Sequence, residues 1–312
     1  MAGWDMAWRS SPSDPCQGTS EAKALVTIPP AFFELVVAPL ALALAAAHAR
    51  RALGTARAAV ELLALVAYGY ALERTAIAVF ASHEYGPAWR AAPGGVPLAV
   101  AATWAAVIVA AMALGARIAA TPLARAAAAA LLGISLDLLM EPVAVRAGLW
   151  SWTPPGPWLL VPIGNFVGWA VIVGAWTFGA ERWSGAGSLV AQALRRAALG
   201  LAAVAALVAV GLVWRALEAE RAFLGVGGWL AWALTLCAAC GLALRPPAAP
   251  WESGPGLAAR LGATSGPLPA AVFLLLFMVF GADARLLGDR RLTLLALGSA
   301  ATLVVVARRA ST

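Results

Sequence analysis

DLLMEPVAVRAGLWSWTPPGPWLLVPIGNFVGW (residues 137–169) joins two apolar runs of this sequence and places its densest polar chemistry where they meet. Asp137 and Glu141 are four residues apart, so a helix would project both carboxylates from one face, about 40° apart around its axis. A turn with three prolines and three tryptophans follows, and Asn165 and Trp169 repeat the four-residue spacing in the second run. The stretch therefore predicts two apolar helices whose adjoining ends carry acids, an amide and aromatic rings.

The composition of the whole chain is that of a membrane protein. Hydrophobic residues make up 62% of the 312 residues, charged residues only 12%, and the mean hydropathy is +0.83. Such a chain cannot cover a water-facing surface with polar groups, whereas a lipid-facing surface needs none. The net charge of +7 comes from arginines scattered at the ends of apolar runs, which indicates membrane anchoring. Membrane lipids are therefore predicted partners, and nucleic acid is not expected.

Apolar runs of about the 20 residues that a bilayer core requires recur from Ile28 onward. We place nine of them at about 28–49, 57–81, 96–118, 123–145, 159–181, 197–216, 226–244, 268–284 and 291–307. Eight spans are the alternative, because prolines precede the eighth run and only a short polar link separates it from the ninth. The predicted fold is all-α, a polytopic membrane bundle of eight or nine helices in a single domain over residues 27–312.

The remaining features of the chain predict little chemistry. Residues 1–26 are polar and rich in Ser and Pro, which predicts a disordered N-terminal tail and not a signal peptide. The three cysteines, Cys16, Cys237 and Cys240, form no disulfide framework, and packing is favoured over metal or redox work for the last two. With no Gly-rich phosphate loop and no cluster of metal ligands in the sequence, no cofactor is predicted.

A second polar cluster follows the second apolar run. That run carries Glu73, and the loop after it, SHEYGPAWRAAPGGVPL (82–98), contains His83, Glu84 and Tyr85. Two spans separate this loop from the 146–158 loop, so both loops are expected on the same face of the membrane. We therefore predict that Glu73 and the 137–169 stretch contribute to one site.

The three acids of these clusters have a functional and a structural interpretation. A carboxylate inside the bilayer costs about 2.5–3.5 kcal/mol on insertion scales, so Glu73, Asp137 and Glu141 are expected to face the bundle interior. There they must be either protonated or paired. In the structural alternative, Glu73 or Asp137 pairs with Arg74 or Arg146 and ties helices together, while Glu141 is solvated at the interface.

Other polar residues have structural alternatives too. Glu34 and Glu61 lie near the ends of their spans and are expected to be structural or to extend toward the interface. His83 and Glu84 fit a solvated loop as well as they fit a site.

The tryptophans Trp150, Trp152 and Trp158 also have two interpretations. Tryptophan collects at membrane interfaces because its ring is amphipathic, so these residues fit an aromatic belt. Aromatic faces also stabilise a cation that lies over them, and a carbocation is such a guest. Together with acids that donate protons and access from the lipid, the second interpretation suits chemistry on an isoprenoid double bond.

The motifs resemble those of a known family. Asp137-x3-Glu141-Pro142-Val143-Ala144 is followed by Gly148-x-Trp150-x-Trp152 and by Val161-Pro162-x-x-Asn165-Phe166-x-Gly168-Trp169. This string resembles the bacterial carotenoid biosynthesis protein family, whose characterised members are membrane carotenoid hydratases acting on acyclic end groups. Upstream, Glu73 and the Gly95-Val96-Pro97 segment leading to Trp104 fit the earlier half of that family, so the resemblance covers about residues 73–181.

The resemblance implies a hydratase, a carbon–oxygen lyase that adds water across the terminal C=C of an acyclic carotenoid or related polyprenyl end. Asp137 is the first choice for the acid that protonates the alkene, with Glu141 or Glu73 next. A second carboxylate or His83 would accept the proton from water. The residues expected to hold the substrate, its cation or the attacking water are Trp150, Trp152, Asn165, Trp169 and Tyr85.

The same resemblance implies the setting of the reaction. The substrate would be a lipid-soluble carotenoid or polyprenyl compound, no cofactor would be needed, and the location would be the inner membrane of a bacterial cell. Other enzymes of the carotenoid pathway are conceivable partners.

Two other classes of function remain open at this point. The carbocation can lose a proton or be captured by a neighbouring alkene, which would make the protein a carotenoid end-group isomerase or cyclase. A transporter or scaffold would use intramembrane acids as proton relays, but it predicts broken helices repeated in both halves. No counterpart of the 137–169 stretch occurs after residue 197.

Overall fold

A computed structural model of the chain describes residues 28–184, 187–220 and 256–309. These residues are almost entirely helical, which confirms the predicted all-α bundle. Nine helices lie in the described ranges: α1 Pro30–Leu53, α2 Thr55–Phe80, α3 Leu98–Ile118, α4 Pro122–Arg146, α5 Ile163–Arg182, α6 Leu189–Ala216, α7 Leu257–Ala263, α8 Leu268–Leu286 and α9 Arg290–Arg309.

Eight of these helices, all except α7, are long and apolar enough to cross a membrane. Their number agrees with the predicted eight or nine spans, and the chain is a multi-pass membrane protein. The predicted span at 226–244 and the predicted N-terminal tail lie outside the described residues.

Proline sets where two of the spans begin. The apolar runs at 96–118 and 159–181 become helices that start only after Pro97 and Pro162, whose backbones are extended. Proline lacks an N–H and constrains the residue before it to extended conformations, so it suits a helix entrance. The consequence is that Asn165 lies in the first turn of α5, at one end of the bundle.

Helices α3 and α4 form the centre of the bundle. In their most apolar stretches 78% and 83% of the residues are buried, against 17% for α6, which lies at the periphery. Small residues allow close contact at this centre: a Cβ added to Gly69 of α2 would lie 2.8 Å from Cβ of Trp104 and 2.9 Å from the carbonyl oxygen of Ala101. Helices α2 and α3 therefore approach closely, one turn before Glu73.

A short antiparallel ribbon brings the two predicted polar loops together. Strand β1 (His83–Tyr85) pairs with β2 (Trp150–Trp152), so that His83 is opposite Trp152 and Tyr85 is opposite Trp150. The amide of Gly86 continues the pairing by donating to the carbonyl of Leu149 at 3.1 Å. The ribbon confirms that the loop before α3 and the loop after α4 meet on one face of the bundle.

The opposite end of the bundle is held by arginines. Arg196 of α6 pairs with Glu61 of α2 at 2.6 Å, and Arg125 of α4 pairs with Glu181 of α5 at 2.7 Å. Glu61 is buried, so of the two roles expected for it, the structural one applies. Arg117 of α3 donates to the carbonyl of Thr264 and thereby fastens the segment after α7.

Candidate functional site

A cavity of about 720 Å³ opens between α2, α3, α4, α5 and α6, beneath the β1–β2 ribbon. This volume is within the range of small-molecule sites. Apolar side chains form most of the wall, and the polar groups are concentrated at the ribbon end. The polar and aromatic lining residues include Glu73, His83, Tyr85, Thr103, Trp104, Glu141, Trp150, Trp152, Asn165 and Trp169, and also Trp214, Arg215, Glu218 and Glu220.

Glu73 is held by uncharged or titratable groups. Its Oε1 accepts a hydrogen bond from Nε1 of Trp104 at 2.7 Å, and its Oε2 lies 3.0 Å from Nε2 of His83. The ring of Tyr85 lies in the same cluster, 5.4 Å from that of His83. The predicted structural alternative for Glu73 was a pair with an arginine, and it is wrong, because both candidate arginines have other partners.

Those two arginines point to different parts of the chain. Arg74 donates to the carbonyl of Gly94 in the loop before α3. Arg146 pairs with Asp289 in the turn between α8 and α9. The direction of each side chain follows from its place on the helix: Arg74 is next to Glu73 and so cannot share its face.

Glu141 faces the cavity from α4. Its Oε2 accepts two hydrogen bonds, from Nε1 of Trp150 at 2.8 Å and from Nε1 of Trp152 at 2.9 Å. Among the described residues no donor reaches Oε1, which leaves that oxygen to the cavity. Glu141 is only 6% exposed, so the expectation that it is merely solvated at the interface is wrong.

Asp137 lies one turn earlier on α4 and is fully enclosed, with 0% of its surface exposed. Its Oδ2 accepts a hydrogen bond from Nδ2 of Asn165 at 2.7 Å. Its Oδ1 has no hydrogen-bond partner among the described residues. Asp137 does not line the cavity, whereas Asn165 does. The first choice of acid in the sequence therefore lies behind Asn165, one layer away from the space that a substrate would occupy.

The aromatic rings surround the two cavity carboxyls. Trp104 and Trp169 lie with ring centroids 4.2 Å apart, and the ring of His83 lies 5.0 Å from that of Trp152. Because the indoles of Trp150 and Trp152 donate to Glu141, these two tryptophans are more than an interface belt. Trp158 is buried and donates to the carbonyl of Leu138 at 3.2 Å, and it is not among the cavity-lining residues.

The electrostatics of the ribbon follow from Glu73. Burial by itself would lower the pKa of His83, but the hydrogen bond and charge of Glu73 raise that pKa overall. Burial and the charge of Glu73 raise the pKa of Tyr85 well above its usual value. Tyr85 therefore stays a neutral phenol, whereas His83 titrates above the usual histidine range.

Sequence reasoning missed Glu220 and Trp214, which also line the cavity. The carboxylate of Glu220 caps α5, since its oxygens accept from the amides of Ile163 at 2.6 Å and Gly164 at 3.0 Å. The indole of Trp214 donates to the same carboxylate at 3.1 Å. No sequence pattern indicates a contact between residues 56 positions apart. Trp104 differs, because the Gly95-Val96-Pro97 segment that leads to it was part of the family resemblance.

No metal-binding group was found in the described ranges: no three His, Cys, Asp or Glu side chains are placed there to hold an ion. Comparison with known proteins adds one positive result. A family model described as "Carotenoid biosynthesis protein" matches residues 28–241, a longer stretch than the 73–181 that the motifs alone covered. No curated protein and no solved structure matches the chain significantly.

Proposed function

The chain belongs to the carotenoid biosynthesis protein family, and from this premise and the geometry of the cavity we propose that it is a carotenoid hydratase. It would add water to the terminal double bond of an acyclic carotenoid by acid-catalysed protonation. The family assigns the protein a role in carotenoid biosynthesis. The eight apolar helices are consistent with a substrate that arrives from the membrane, and a bacterial inner membrane remains the predicted location.

One observation carries the proposal: Glu73 and Glu141, the two cavity acids beside the ribbon, are held by groups that do not force them to be ionised. Glu141 is held by two indoles, and Glu73 by an indole and an imidazole. An arginine partner would keep a carboxylate permanently charged and unable to donate a proton. Two carboxyls of the same cavity with different partners suit the opposed roles of acid and base.

We assign the acid to Glu141 in preference to Asp137, because Glu141 lines the cavity and Asp137 does not. The two indoles hold Oε2, so a proton on Oε1 would point to the substrate. Protonation of the less substituted carbon of a trisubstituted double bond leaves a tertiary cation on its neighbour. Burial without a cationic partner favours the neutral acid that this step needs.

The cation requires a surface that stabilises positive charge without reacting with it. Indole faces do so through their quadrupoles, by about 2 kcal/mol when water is excluded. Trp152 lies beside His83 on the ribbon, and the adjacent rings of Trp104 and Trp169, tilted by 39° to one another, line the same cavity. These rings are the proposed shelter for the cation and for the end of the polyene chain.

Water completes the reaction. Nδ2 of Asn165 is engaged by Asp137, so Oδ1 of Asn165 is the atom left to orient a water molecule. Attack of that water on the tertiary cation forms the C–O bond, and the water gives its second proton to neutral His83, whose partner is Glu73. In total, the alkene carbon has received one proton from Glu141, and His83 has received one proton from the water. Transfer of a proton back to Glu141 restores the starting state.

The test is pigment analysis in a host that makes an acyclic carotenoid. We expect a new, more polar pigment, heavier than its parent by one water molecule, only when the chain is expressed. A product of unchanged mass would contradict hydration and assign the protein to isomerisation or cyclisation. As a matched control, Glu34→Gln changes an acid that binds the amides of Arg90 and Ala91 outside the cavity, and it should retain the new pigment.

A further inference from the structure

A small second pocket lies at the opposite end of the bundle from the cavity. It has a volume of about 20 Å³, and it is formed where the start of α2, the end of α5, the start of α6 and α7 meet. Four arginines from three helices line it: Arg57, Arg195, Arg196 and Arg260. The pocket has no part in the proposed hydration.

In the described part of the chain, two buried carboxylates, Glu61 and Glu181, lie near the arginines of this pocket. Glu61 pairs with Arg196, and among the described residues it is the only carboxylate that forms an ion pair with Arg57, Arg196 or Arg260. Glu181 lies nearby, but it is already paired with Arg125. Like charges held together in a partly buried place destabilise one another unless an anion lies between them.

Two guanidinium nitrogens at the pocket lack an acceptor. Nη1 of Arg196 and Nε of Arg260 are buried, and neither has a hydrogen-bond partner in the described part of the chain. Arg196 is only 3% exposed, so water does not freely replace the missing acceptor. A buried donor without a partner costs about 1–3 kcal/mol, more when it is charged, and calls for an explanation.

Arg260 shows the influence of its neighbours. Burial lowers the pKa of Arg260, and the positive charges of Arg57 and Arg196 lower it further. The first turn of α6, capped by Ser188, is adjacent to the pocket through Gly187. The amino end of a helix adds further positive potential, which an anion would relieve.

We propose that this pocket binds a phosphate group. Its volume admits roughly one oxygen-sized group, so one or two phosphate oxygens would enter between the guanidiniums while the rest stays outside. Trp183 at the rim is 44% exposed, as expected of a residue at the level of lipid headgroups. Basic pockets between helix ends bind the headgroups of anionic phospholipids, and free phosphate would offer the same oxygens.

The experiment measures binding to the purified full-length protein in a neutral detergent at low salt. The unfolding temperature is followed while phosphatidylglycerol, phosphatidylcholine, inorganic phosphate or chloride is added. We expect phosphatidylglycerol to raise the unfolding temperature in a saturable way, more than phosphatidylcholine does, and the effect to disappear at high salt. A matching rise with inorganic phosphate, beyond that with chloride, would show that the free ion is also accepted. No rise with phosphate would identify the lipid headgroup as the source.

The variant Arg57→Gln provides the specificity test. Arg57 is exposed, and the side chain of Gln192 donates to its backbone carbonyl, which Gln at position 57 would keep, so the variant should fold. Removing one charge should weaken phosphatidylglycerol binding by about five-fold, since each basic residue contributes about 1 kcal/mol near an anionic surface. Arg90→Gln, an exposed arginine on the cavity face, is the matched control and should bind like the unchanged protein.

Two results would overturn the proposal: equal stabilisation by phosphatidylglycerol and phosphatidylcholine with no phosphate effect beyond chloride, or an Arg57→Gln variant that binds with unchanged affinity. Carotenoid turnover is not measured, so this inference is tested independently of the proposed hydratase activity.

Discussion

Two groups of buried acids in this protein have opposite kinds of partners. At the end of the bundle that holds the cavity, Glu73, Asp137 and Glu141 are held by indoles, an imidazole and an amide. At the other end, Glu61 and Glu181 are held by arginines at 2.6 and 2.7 Å. All five carboxyls are buried in the same apolar bundle.

The two kinds of partner give the acids different roles, one structural and one chemical. Arginine stays charged at every ordinary pH, so its carboxylate partners are fixed as ions and serve to join helices. Indole and amide donors stabilise a carboxyl without determining whether it holds a proton. Only the acids at the cavity end are therefore free to exchange protons, and substitutions at the two ends should fail in different ways.

The largest effect is expected from Glu141→Gln. Glutamine keeps the shape and can still accept from Trp150 and Trp152, but it cannot donate a proton as an acid. Loss of a general acid lowers the rate by about 100-fold to 10,000-fold, so the hydrated pigment should disappear while the protein level stays normal. Pigment and detergent-extracted protein are measured from the same cells.

Asp137→Asn is the comparison that makes this prediction selective. Asparagine can still accept from Asn165 through its oxygen, and the change lies outside the cavity, so we expect a loss of about ten-fold at most. An inactive Asp137→Asn variant beside an active Glu141→Gln variant would reverse the assignment of the acid.

Arg196→Gln tests the architectural end. It leaves Glu61 buried without its ion-pair partner, which costs about 3–5 kcal/mol. We expect a sharp fall in folded protein, measured by size-exclusion chromatography in detergent, with unchanged product per folded molecule.

A double variant controls for packing in the same place. Replacing both Glu61 and Arg196 by methionine removes the charges together and keeps similar volume, so most of the folded protein should return. Normal folding of Arg196→Gln alone would refute the distinction between the two ends.

Much of the fold was predictable because a bilayer imposes a length on every span. The run at 96–118 became Leu98–Ile118 with only a two-residue shift. The run at 197–216 was placed too late, since α6 begins at Leu189 and includes Arg195 and Arg196. Burial of Arg196 depends on Glu61, 135 residues away, and no local pattern reports such a pair. The short α7 was not predicted for a similar reason: it is fastened by contacts with other helices.

The sequence predicted which residues meet at the candidate site, but not which hydrogen bonds and ion pairs they form. Spacing and loop order brought Glu73, His83 and Glu141 to one face, as the ribbon now explains. Sequence proximity suggested Arg74 as the partner of Glu73, yet adjacent residues on a helix point apart. Asp137 was the first choice of acid, but its position in the sequence does not tell which face of α4 borders the cavity.

Fold stability and product formation should both depend on pH through His83. Burial alone would lower the pKa of His83, but the hydrogen bond and charge of Glu73 raise it above the usual value of 6.5. Protonated His83 therefore stabilises the fold fully below about 6.5, and this contribution is lost as the pH rises through the higher pKa of the folded state. Product formation should move in the opposite direction over the same window, because only neutral His83 accepts a proton.

The check is a pair of pH profiles, one of unfolding temperature and one of turnover. In His83→Gln both opposing trends should vanish, since glutamine can hydrogen-bond to Glu73 but does not titrate. His48→Gln changes the only other histidine of the chain, which contacts the carbonyl of Leu261 far from the cavity, and should keep both trends. Profiles that rise or fall together would contradict the role of His83 as base.

The smallest effect is expected from Trp152→Phe, which keeps an aromatic face for the cation and removes one of the two indole donors to Glu141. The remaining donor, Trp150, still holds the same oxygen at 2.8 Å. Loss of one hydrogen bond costs about 1 kcal/mol, which corresponds to about a five-fold slower reaction if the bond positions the acid.

Trp89→Phe is the matched control, because that indole donates to the carbonyl of Leu149 and does not line the cavity. Turnover per folded molecule should fall in the first variant and not in the second. Equal losses in both variants would mean that the indoles around Glu141 contribute only packing. The hydrogen-bond partners of Glu141 would then not explain why this acid differs from Glu61 and Glu181.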